Sequence, residues 1–135
     1  MKRACVIGWP VKHSRSPVIH RFWLRELGLP GEYVLKPVEP ENIRGFLADF
    51  ARSGFVGGNV TVPHKEAAFA AVTRRDENAV ATGALNTLWL EDGVLVGANT
   101  DVTGFLASLD QDVQGWDKKP GAAVVLGAGG AARAI

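Results

Sequence analysis

Cysteine is almost absent from this chain of 135 residues, since Cys5 is the only one. A single thiol cannot close an intramolecular disulfide, which excludes the disulfide-stapled class of small domains and favours a reducing compartment. Cys5 lies in the apolar run 4–7, so we expect a buried small apolar side chain there. The sequence therefore predicts a soluble, cytoplasmic protein with an ordinary hydrophobic core.

A charge excess and a long apolar run are also missing. Lys and Arg total 15 against 14 Asp and Glu, for a formal net charge of +1, which gives no electrostatic reason to bind nucleic acid. No stretch reaches the about 18 apolar residues that a membrane span needs, so no membrane partner is expected. His13, His20 and His64 show no metal-ligand spacing, so no metal site is predicted.

The chain is, by contrast, well supplied with turn-forming residues. Its 16 Gly and 7 Pro lie between short segments of periodic hydrophobicity. Strand-like and helix-like segments alternate in chain order, at 3–7, 16–28, 33–38, 40–54, 56–62 and 64–72. This alternation requires crossover connections and therefore a mainly parallel sheet. Ser16 is interpreted as the N-cap of the first helix, with Pro17 at its first position.

A different pattern follows the third helix. The apolar runs 85–90 and 94–98 flank an Asp-Gly pair, which predicts a tight antiparallel hairpin. A helix is expected over about 102–109. The predicted fold class is therefore α/β: a mainly parallel sheet with an antiparallel hairpin strand and helices on both faces.

The end of the sequence indicates a second unit. We assign residues 1–110 to one domain, 111–121 to a linker and 122–126 to a buried strand. The turn 127–132 fits G-x-G-x-x-A directly after that strand, as at the start of a dinucleotide-binding Rossmann domain. Such a unit needs about 30 residues, so we expect the chain to be the front part of a longer protein. If the strand 122–126 has no neighbouring strand in the chain, this apolar tail is expected to be disordered or to pair with another chain.

Polar clusters follow three predicted strands, at Ser14 to Ser16, at Asn59 to Lys65, and at Asn86 with Asn99 to Asp101. Ligands of open α/β sheets bind at the carboxyl ends of strands, so these clusters are candidate site residues. Asn is disfavoured in strands, which favours a ligand-binding role for Asn59 and Asn86. For Ser16 and Asp101 helix capping is an alternative that the sequence leaves open.

Lys65 is the candidate for proton transfer. It follows Pro63 at a helix start, where the helix dipole favours an acidic residue over a cation. A lysine kept in that unfavourable place suits general acid/base chemistry, and a carboxylate such as Asp101 beside it would stabilise its ammonium form. A solvated surface lysine is the alternative.

Five motifs together resemble the shikimate dehydrogenase family. They are Gly8-Trp9-Pro10-Val11-Lys12-His13-Ser14-Arg15-Ser16-Pro17, Gly58-Asn59-Val60-Thr61-Val62-Pro63-His64-Lys65, Gly83-Ala84-Leu85-Asn86-Thr87, Asn99-Thr100-Asp101 and Gly127-Ala128-Gly129-Gly130-Ala131-Ala132-Arg133-Ala134. The resemblance spans the chain and implies reversible reduction of 3-dehydroshikimate to shikimate with NADPH, in aromatic amino acid biosynthesis.

The resemblance also implies roles for single residues. Lys65 and Asp101 would be catalytic, and Lys65 would exchange a proton with the carbonyl. The substrate carboxylate would be held by Ser14, Ser16 and Thr61, and the ring hydroxyls by Asn59, Asn86 and Asp101. NADP would be held by Gly127, Ala128, Gly129, Gly130 and Ala131, with Glu77 near the nicotinamide.

Two functional alternatives remain open at this stage. The chain is expected to have no dehydrogenase activity alone, because hydride transfer needs the nicotinamide held against the substrate. A quinate/shikimate dehydrogenase that uses NAD is the first alternative, and a non-catalytic module that senses a shikimate-type ligand is the second. Whether the chain forms a homodimer is also open.

Overall fold

The structure is a computed structural model, and it describes residues 1–118 and 121–135. Six strands form one sheet in the order β2-β1-β3-β5-β6-β4. The strands are β1 (Lys2–Gly8), β2 (Gly31–Pro37), β3 (Gly57–Val60), β4 (Arg74–Arg75), β5 (Thr87–Glu91) and β6 (Val94–Ala98). The helices are α1 (Ser16–Glu26), α2 (Ile43–Ala48), α3 (Lys65–Ala71), α4 (Glu77–Thr82) and α5 (Thr100–Asp112), and short 3-10 turns cover Phe50–Arg52 and Ala132–Ala134.

The sheet is mixed, as predicted. Strand β1 runs parallel to both β2 and β3, because helices form the connections between them. Strand β5 is antiparallel to β3 and to β6, and β4 is parallel to β6. Asp92 and Gly93 form the tight turn between β5 and β6 with φ of 53° and 78°, which matches the predicted Asp-Gly hairpin.

Helices cover both faces of the sheet. Cys5 and Ile7 of β1 face a core that includes Ile43 and Leu47 of α2 and Ala68 of α3. The alternate residues turn to the other face, where Val6 packs with Val11 and Tyr33. On that face His20 of α1 stacks on the Tyr33 ring, which places α1 over β2. The predicted fold class is confirmed.

Several local predictions differ from the structure. Ser16 is the first residue of α1, preceded by Arg15, and its side chain forms no cap. The reason is its neighbour, because Ser14 Oγ accepts the Ser16 N–H and the two hydroxyls are bonded to each other. Helix α5 is longer than expected. The short elements β4 and α4 were not predicted.

The end of the chain also differs. Residues 122–126 form no strand and are exposed, because no described segment lies alongside to accept their backbone hydrogen bonds. The predicted linker 111–121 begins within α5, and its residues 119–120 lie outside the described part. The tail then returns to the domain, with Ala134 buried. The expectation of a disordered tail is therefore wrong for 132–134, and pairing of the tail with another chain stays a prediction.

Candidate active site

A small polar cavity lies where the carboxyl ends of β1 and β3 meet. Parallel neighbours end at the same edge of a sheet, so the loops that follow them converge. The cavity has a volume of about 250 Å³, below the about 300–1,000 Å³ of pockets that bind drug-sized ligands, so it suits a small metabolite. Its lining consists of Val6, Ser14, Ser16, Asn59, Val60, Thr61, Lys65, Asn86 and Asp101. All seven residues predicted to bind substrate therefore lie at one cavity.

An ion pair between Lys65 and Asp101 lies at the centre of this cavity. The Lys65 ammonium donates to Asp101 Oδ2, and the two side chains are 12% and 30% exposed. Lys65 is the first residue of α3, where His64 is buried and its ring Nε2–H donates to Val38 O at 2.7 Å. Asn99, not Asp101, caps α5, because Asn99 Oδ1 accepts the Asp101 N–H at 2.9 Å. The Asp101 carboxylate is thereby free to bind Lys65.

Asn86 is fixed beside the ion pair. Its Nδ2 donates to Asp101 Oδ1 at 2.9 Å and to Thr100 Oγ1 at 2.8 Å. Its Oδ1 accepts the Thr100 N–H at 3.0 Å and the Thr87 hydroxyl at 3.0 Å. Because a backbone N–H can only donate, the amide has one orientation, and Asp101 is held on both of its carboxylate oxygens.

Asn59 is a second amide side chain in the cavity lining. Its Oδ1 accepts the Tyr33 hydroxyl at 2.6 Å. Its Nδ2 donates to Thr87 Oγ1 at 3.2 Å and to Asn86 O at 3.4 Å. Asn59 thus connects β3 to β2 on one side and to β5 on the other.

Hydroxyl groups form the third side of the cavity. The Ser14 hydroxyl donates to Ser16 Oγ at 3.2 Å. Thr61 follows β3, and its N–H donates to Ile7 O at 2.9 Å. Gly8 allows this approach, since a Cβ at Gly8 would lie 2.5 Å from Thr61 Cγ2. Three hydroxyls, two side-chain amides and a lysine–carboxylate pair in one lining suit a small ligand that carries several hydrogen-bonding groups.

The residues predicted to bind the cofactor lie outside this cavity. Glu77 is exposed at the first position of α4. In the turn 127–131, Gly130 approaches α3 so closely that a Cβ there would lie 3.0 Å from Lys65 Cβ. Arg133 binds Glu66 Oε2 at 3.3 Å and donates to Thr82 O at 3.3 Å. The glycine-rich turn therefore lies next to the candidate catalytic lysine.

Sequence reasoning missed residues that orient the site. Tyr33 and Thr87 lie outside the predicted clusters, although Tyr33 bonds to Asn59 and Thr87 bonds to Asn59 and Asn86. His64, Asn99 and Thr100 lie inside the predicted clusters but received no individual role. Thr87 and Thr100 stand inside recognised motifs, which was an available signal. Nothing in the sequence pointed to Tyr33.

Metal-binding clusters and membrane-spanning helices are both absent from the described residues, 1–118 and 121–135. No group of three or more His, Cys, Asp or Glu side chains in them could hold a metal ion. No helix in the same ranges has the length and apolar character to cross a membrane. A larger cavity, of about 570 Å³, lies at the start of β1 and β2 and contains none of the predicted site residues.

Known proteins are similar to this chain in sequence and in fold. Residues 6–88 match the family described as the shikimate dehydrogenase substrate binding domain. A shikimate dehydrogenase (NADP(+)) of Brucella canis is 58% identical over 134 residues, which cover 99% of this chain and 46% of the relative. The chain therefore spans slightly less than half the length of that relative.

Solved structures agree with the sequence match. Shikimate 5-dehydrogenase of Thermus thermophilus, in complex with NADP(H) and shikimate, superposes with a TM-score of 0.84 at 43% identity, covering 100% of this chain and 50% of that one. Shikimate dehydrogenase 1 of Peptoclostridium difficile gives 0.90 at 31% identity, covering 99% and 50%. The family match extends over more than half of the chain. The chain belongs to the shikimate dehydrogenase family.

Proposed function

We propose that this chain forms the substrate-binding part of an NADP-dependent shikimate dehydrogenase, which reversibly reduces 3-dehydroshikimate to shikimate. The observation that carries the proposal is the Lys65–Asp101 ion pair inside a cavity of hydroxyl and amide side chains. Residues 1–110 are the substrate domain in this proposal, 111–121 the linker and 122–135 the beginning of the cofactor domain. The matched substrate binding domain, residues 6–88, lies within the first of these units.

The cavity geometry suggests how each group acts. Ser14, Ser16 and Thr61 hold the substrate carboxylate, and Asn59, Asn86 and Asp101 hold ring hydroxyls. Lys65 Nζ lies close to the hydroxyl-binding end, where it gives a proton to the carbonyl oxygen during reduction and takes it back from the hydroxyl during oxidation. Asp101 binds the Lys65 ammonium group and holds it in place at the cavity.

The glycine-rich turn fits a cofactor pyrophosphate. Gly127 has φ of 123°, and neither Gly127 nor Gly129 has an atom within 4 Å of the place a Cβ would occupy, so their backbone N–H groups can approach an anion. Gly127, Ala128, Gly129, Gly130 and Ala131 would hold the pyrophosphate, with Glu77 towards the nicotinamide. When bound, NADPH supplies the hydride that forms the new C–H bond.

We also propose a homodimer formed through β2, which is the longer of the two edge strands of the described sheet. The Val38 N–H donates to Gly8 O of β1. Backbone groups of successive strand residues point to alternate sides, so even-numbered residues of β2 face β1. Tyr33 and Leu35 therefore direct their N–H and C=O groups away from the sheet. An antiparallel pairing of two β2 strands around Val34 places Glu32 opposite Lys36 of the second copy, and opposite charges in such pairs are favourable.

Two contacts already present at the β2 edge compete with the proposed dimer, and charge exchange at this edge tests it. Glu32 binds Arg3 at 2.7 Å, and Arg21 donates to Tyr33 O at 2.9 Å and would have to move. By sedimentation we expect Glu32→Lys or Lys36→Glu to give monomers and the doubly exchanged chain to dimerise again. A wild-type chain that stays monomeric at high concentration would contradict the proposed interface.

A cytoplasmic location is proposed from the single thiol. Cys5 is free and fully buried, and disulfides are rare in reducing compartments. Fractionation of cells that produce the protein would test this, and recovery from an extracellular or membrane fraction would contradict it.

The enzymatic proposal can be tested with a chimera. This chain would replace the matching 46% of the Brucella canis relative, and NADPH formation from shikimate would be followed by absorbance. We expect turnover by the chimera, none by its Lys65→Ala variant and none by the chain alone. A folded chimera that binds shikimate without turnover would instead support the ligand-sensing module. Faster turnover of quinate would support the quinate/shikimate alternative.

A further inference from the structure

Tyr33 is the only tyrosine of the chain, and it lies outside the set of residues to which a role has been given. Its side chain is 4% exposed, on the face of β2 that α1 covers. The ring stacks on His20 with centroids 4.0 Å apart and planes at 5°. The hydroxyl leaves this apolar layer and reaches Asn59 Oδ1 at 2.6 Å. A buried aromatic residue thus touches the floor of the candidate active site.

The direction of this hydrogen bond is fixed by the other contacts of Asn59. The backbone carbonyl of Asn86 can only accept, so the nitrogen of the Asn59 amide must face it. The oxygen then faces Tyr33, and the tyrosine hydroxyl must be the donor. Burial raises the pKa of Tyr33, which keeps this donor protonated.

The hydrogen bonds beyond Asn59 run in the same donor-to-acceptor direction across the sheet. Asn59 Nδ2 donates to Thr87 Oγ1 at 3.2 Å, and the Thr87 hydroxyl donates to Asn86 Oδ1 at 3.0 Å. Asn86 Nδ2 then donates to Asp101 Oδ1 at 2.9 Å. The network begins at the Tyr33 hydroxyl and ends on the carboxylate that binds Lys65. Hydrogen bonds in such a chain polarise one another and strengthen the whole.

We propose that Tyr33 is a positioning residue of this site: its hydroxyl holds the Asn59 amide in one orientation, with the nitrogen towards the ring-hydroxyl end of the cavity. This rests on the proposed function only for the identity of the ligand. Without the Tyr33 hydroxyl, the Asn59 oxygen loses its 2.6 Å donor. The amide is then oriented only weakly by the remaining described contacts, because the bond to Asn86 O is 3.4 Å long and the Thr87 hydroxyl can donate as well as accept. Tyr33 itself does not line the cavity, so it acts through Asn59.

The first test is a double-mutant cycle read by calorimetric titration of shikimate into the chain. Tyr33→Phe keeps the ring and its stacking and removes only the hydroxyl, so we expect affinity to fall about three- to ten-fold. In an Asn59→Ala background the same change should have no further effect. Equal losses in both backgrounds, or no loss in the wild-type background, would overturn the proposal.

A matched control removes a comparable hydroxyl elsewhere. Ser53 Oγ donates to Phe50 O at 2.6 Å, a bond as short as that of Tyr33, but on the side of the sheet covered by α2. Ser53→Ala should lower thermal stability and leave shikimate affinity unchanged. An affinity loss in Ser53→Ala equal to that of Tyr33→Phe would overturn the assignment, because the effect would then follow from stability alone.

The second test needs no ligand and separates this proposal from the proposed function. Because the chain has one tyrosine, growth on 3-fluorotyrosine places a single fluorine reporter at Tyr33. We expect its NMR resonance to shift when Asn59 is changed to Ala, and to stay in place in Ser53→Ala. An unchanged resonance in Asn59→Ala would overturn the proposal. If wild-type chain fails to bind shikimate while the resonance shifts as expected, the proposed function fails and the positioning contact stands.

Discussion

Lys65 and Asp101 form an ion pair across 36 positions of the chain, each in the first turn of its own helix. The dipole of a helix favours an anion in that turn and disfavours a cation. Asp101 therefore suits α5, whereas Lys65 lies in α3 against local preference and depends on the carboxylate across the cavity. The pair joins the two ends of the candidate site.

This asymmetry predicts unequal effects on stability. Asp101→Ala leaves the more deeply buried Lys65 ammonium without its counter-charge and should lower the free energy of unfolding by about 1–3 kcal/mol. Lys65→Met keeps the length of the side chain and should have a smaller effect, because Asp101 retains Asn86 and solvent. Urea denaturation measures both values. A larger loss in Lys65→Met would contradict the reasoning.

An exposed ion pair provides the control for that experiment. Arg74 and Glu91 bind at 2.6 Å with about half of each side chain exposed. Exposed pairs contribute about 0–1 kcal/mol, so Glu91→Ala should change the free energy of unfolding little. Equal losses in Glu91→Ala and Asp101→Ala would show that burial of the central pair has no energetic consequence.

Two glycines should respond to alanine in opposite directions. A Cβ at Gly58 would lie 2.5 Å from Cys5 O, and backbone in the middle of a sheet cannot yield cheaply, so Gly58→Ala should destabilise the chain by about 1–3 kcal/mol. Gly45 lies within α2 with nothing within 4 Å of the same point. Gly45→Ala should stabilise by about 0.5–1 kcal/mol. Thermal unfolding of both variants would reveal any departure from this order.

Cys5 should be inert to thiol reagents in the folded chain. The side chain is fully buried, and burial raises the pKa of its thiol to about 12, so hardly any reactive thiolate exists near neutral pH. We expect a colorimetric disulfide reagent to label the chain only as fast as it unfolds, and immediately in denaturant. Rapid labelling of native protein would show that β1 is not buried in the sheet.

His20 should make stability depend on pH. Burial lowers the pKa of His20 below its ordinary value of 6.5, so the unfolded chain binds more protons than the folded chain between the two values. Stability is therefore full above about pH 6.5 and falls as the pH drops towards the folded pKa. His20→Gln should flatten this part of the curve, whereas His13→Gln, at an exposed position, should not. Identical slopes in both variants would contradict this origin.

The cavity lining was predictable because it follows strand order. Ser14, Asn59 and Lys65 come after β1 or near the end of β3, and parallel neighbours must end at one edge. The hairpin of β5 and β6 brings Asn86 and Asp101 to that edge as well, which only the spacing of the Asp-Gly turn indicated. Their roles in binding and catalysis remain predictions.

Features that depend on neighbours were not predictable. The pattern of residues 122–126 is typical of a buried strand, but a strand also needs an adjacent backbone, and the described residues provide none. The Tyr33 to Asn59 hydrogen bond depends on the register of β1 with β2 and β3, which sequence alone does not specify. Helix α4 left a usable signal, since Asp76 caps it and Gly83, with φ of 64°, ends it.

The most direct test of the account is calorimetric titration of shikimate into the chain, wild type beside Lys65→Ala and Ser16→Ala. Both side chains reach the cavity and neither is part of the hydrophobic core, so the variants should fold. The account predicts binding to the wild type that each substitution weakens about ten-fold or more, because each removes a charged or hydrogen-bonding partner of the ligand. Absence of binding to the wild type, or equal binding by all three proteins, would contradict it.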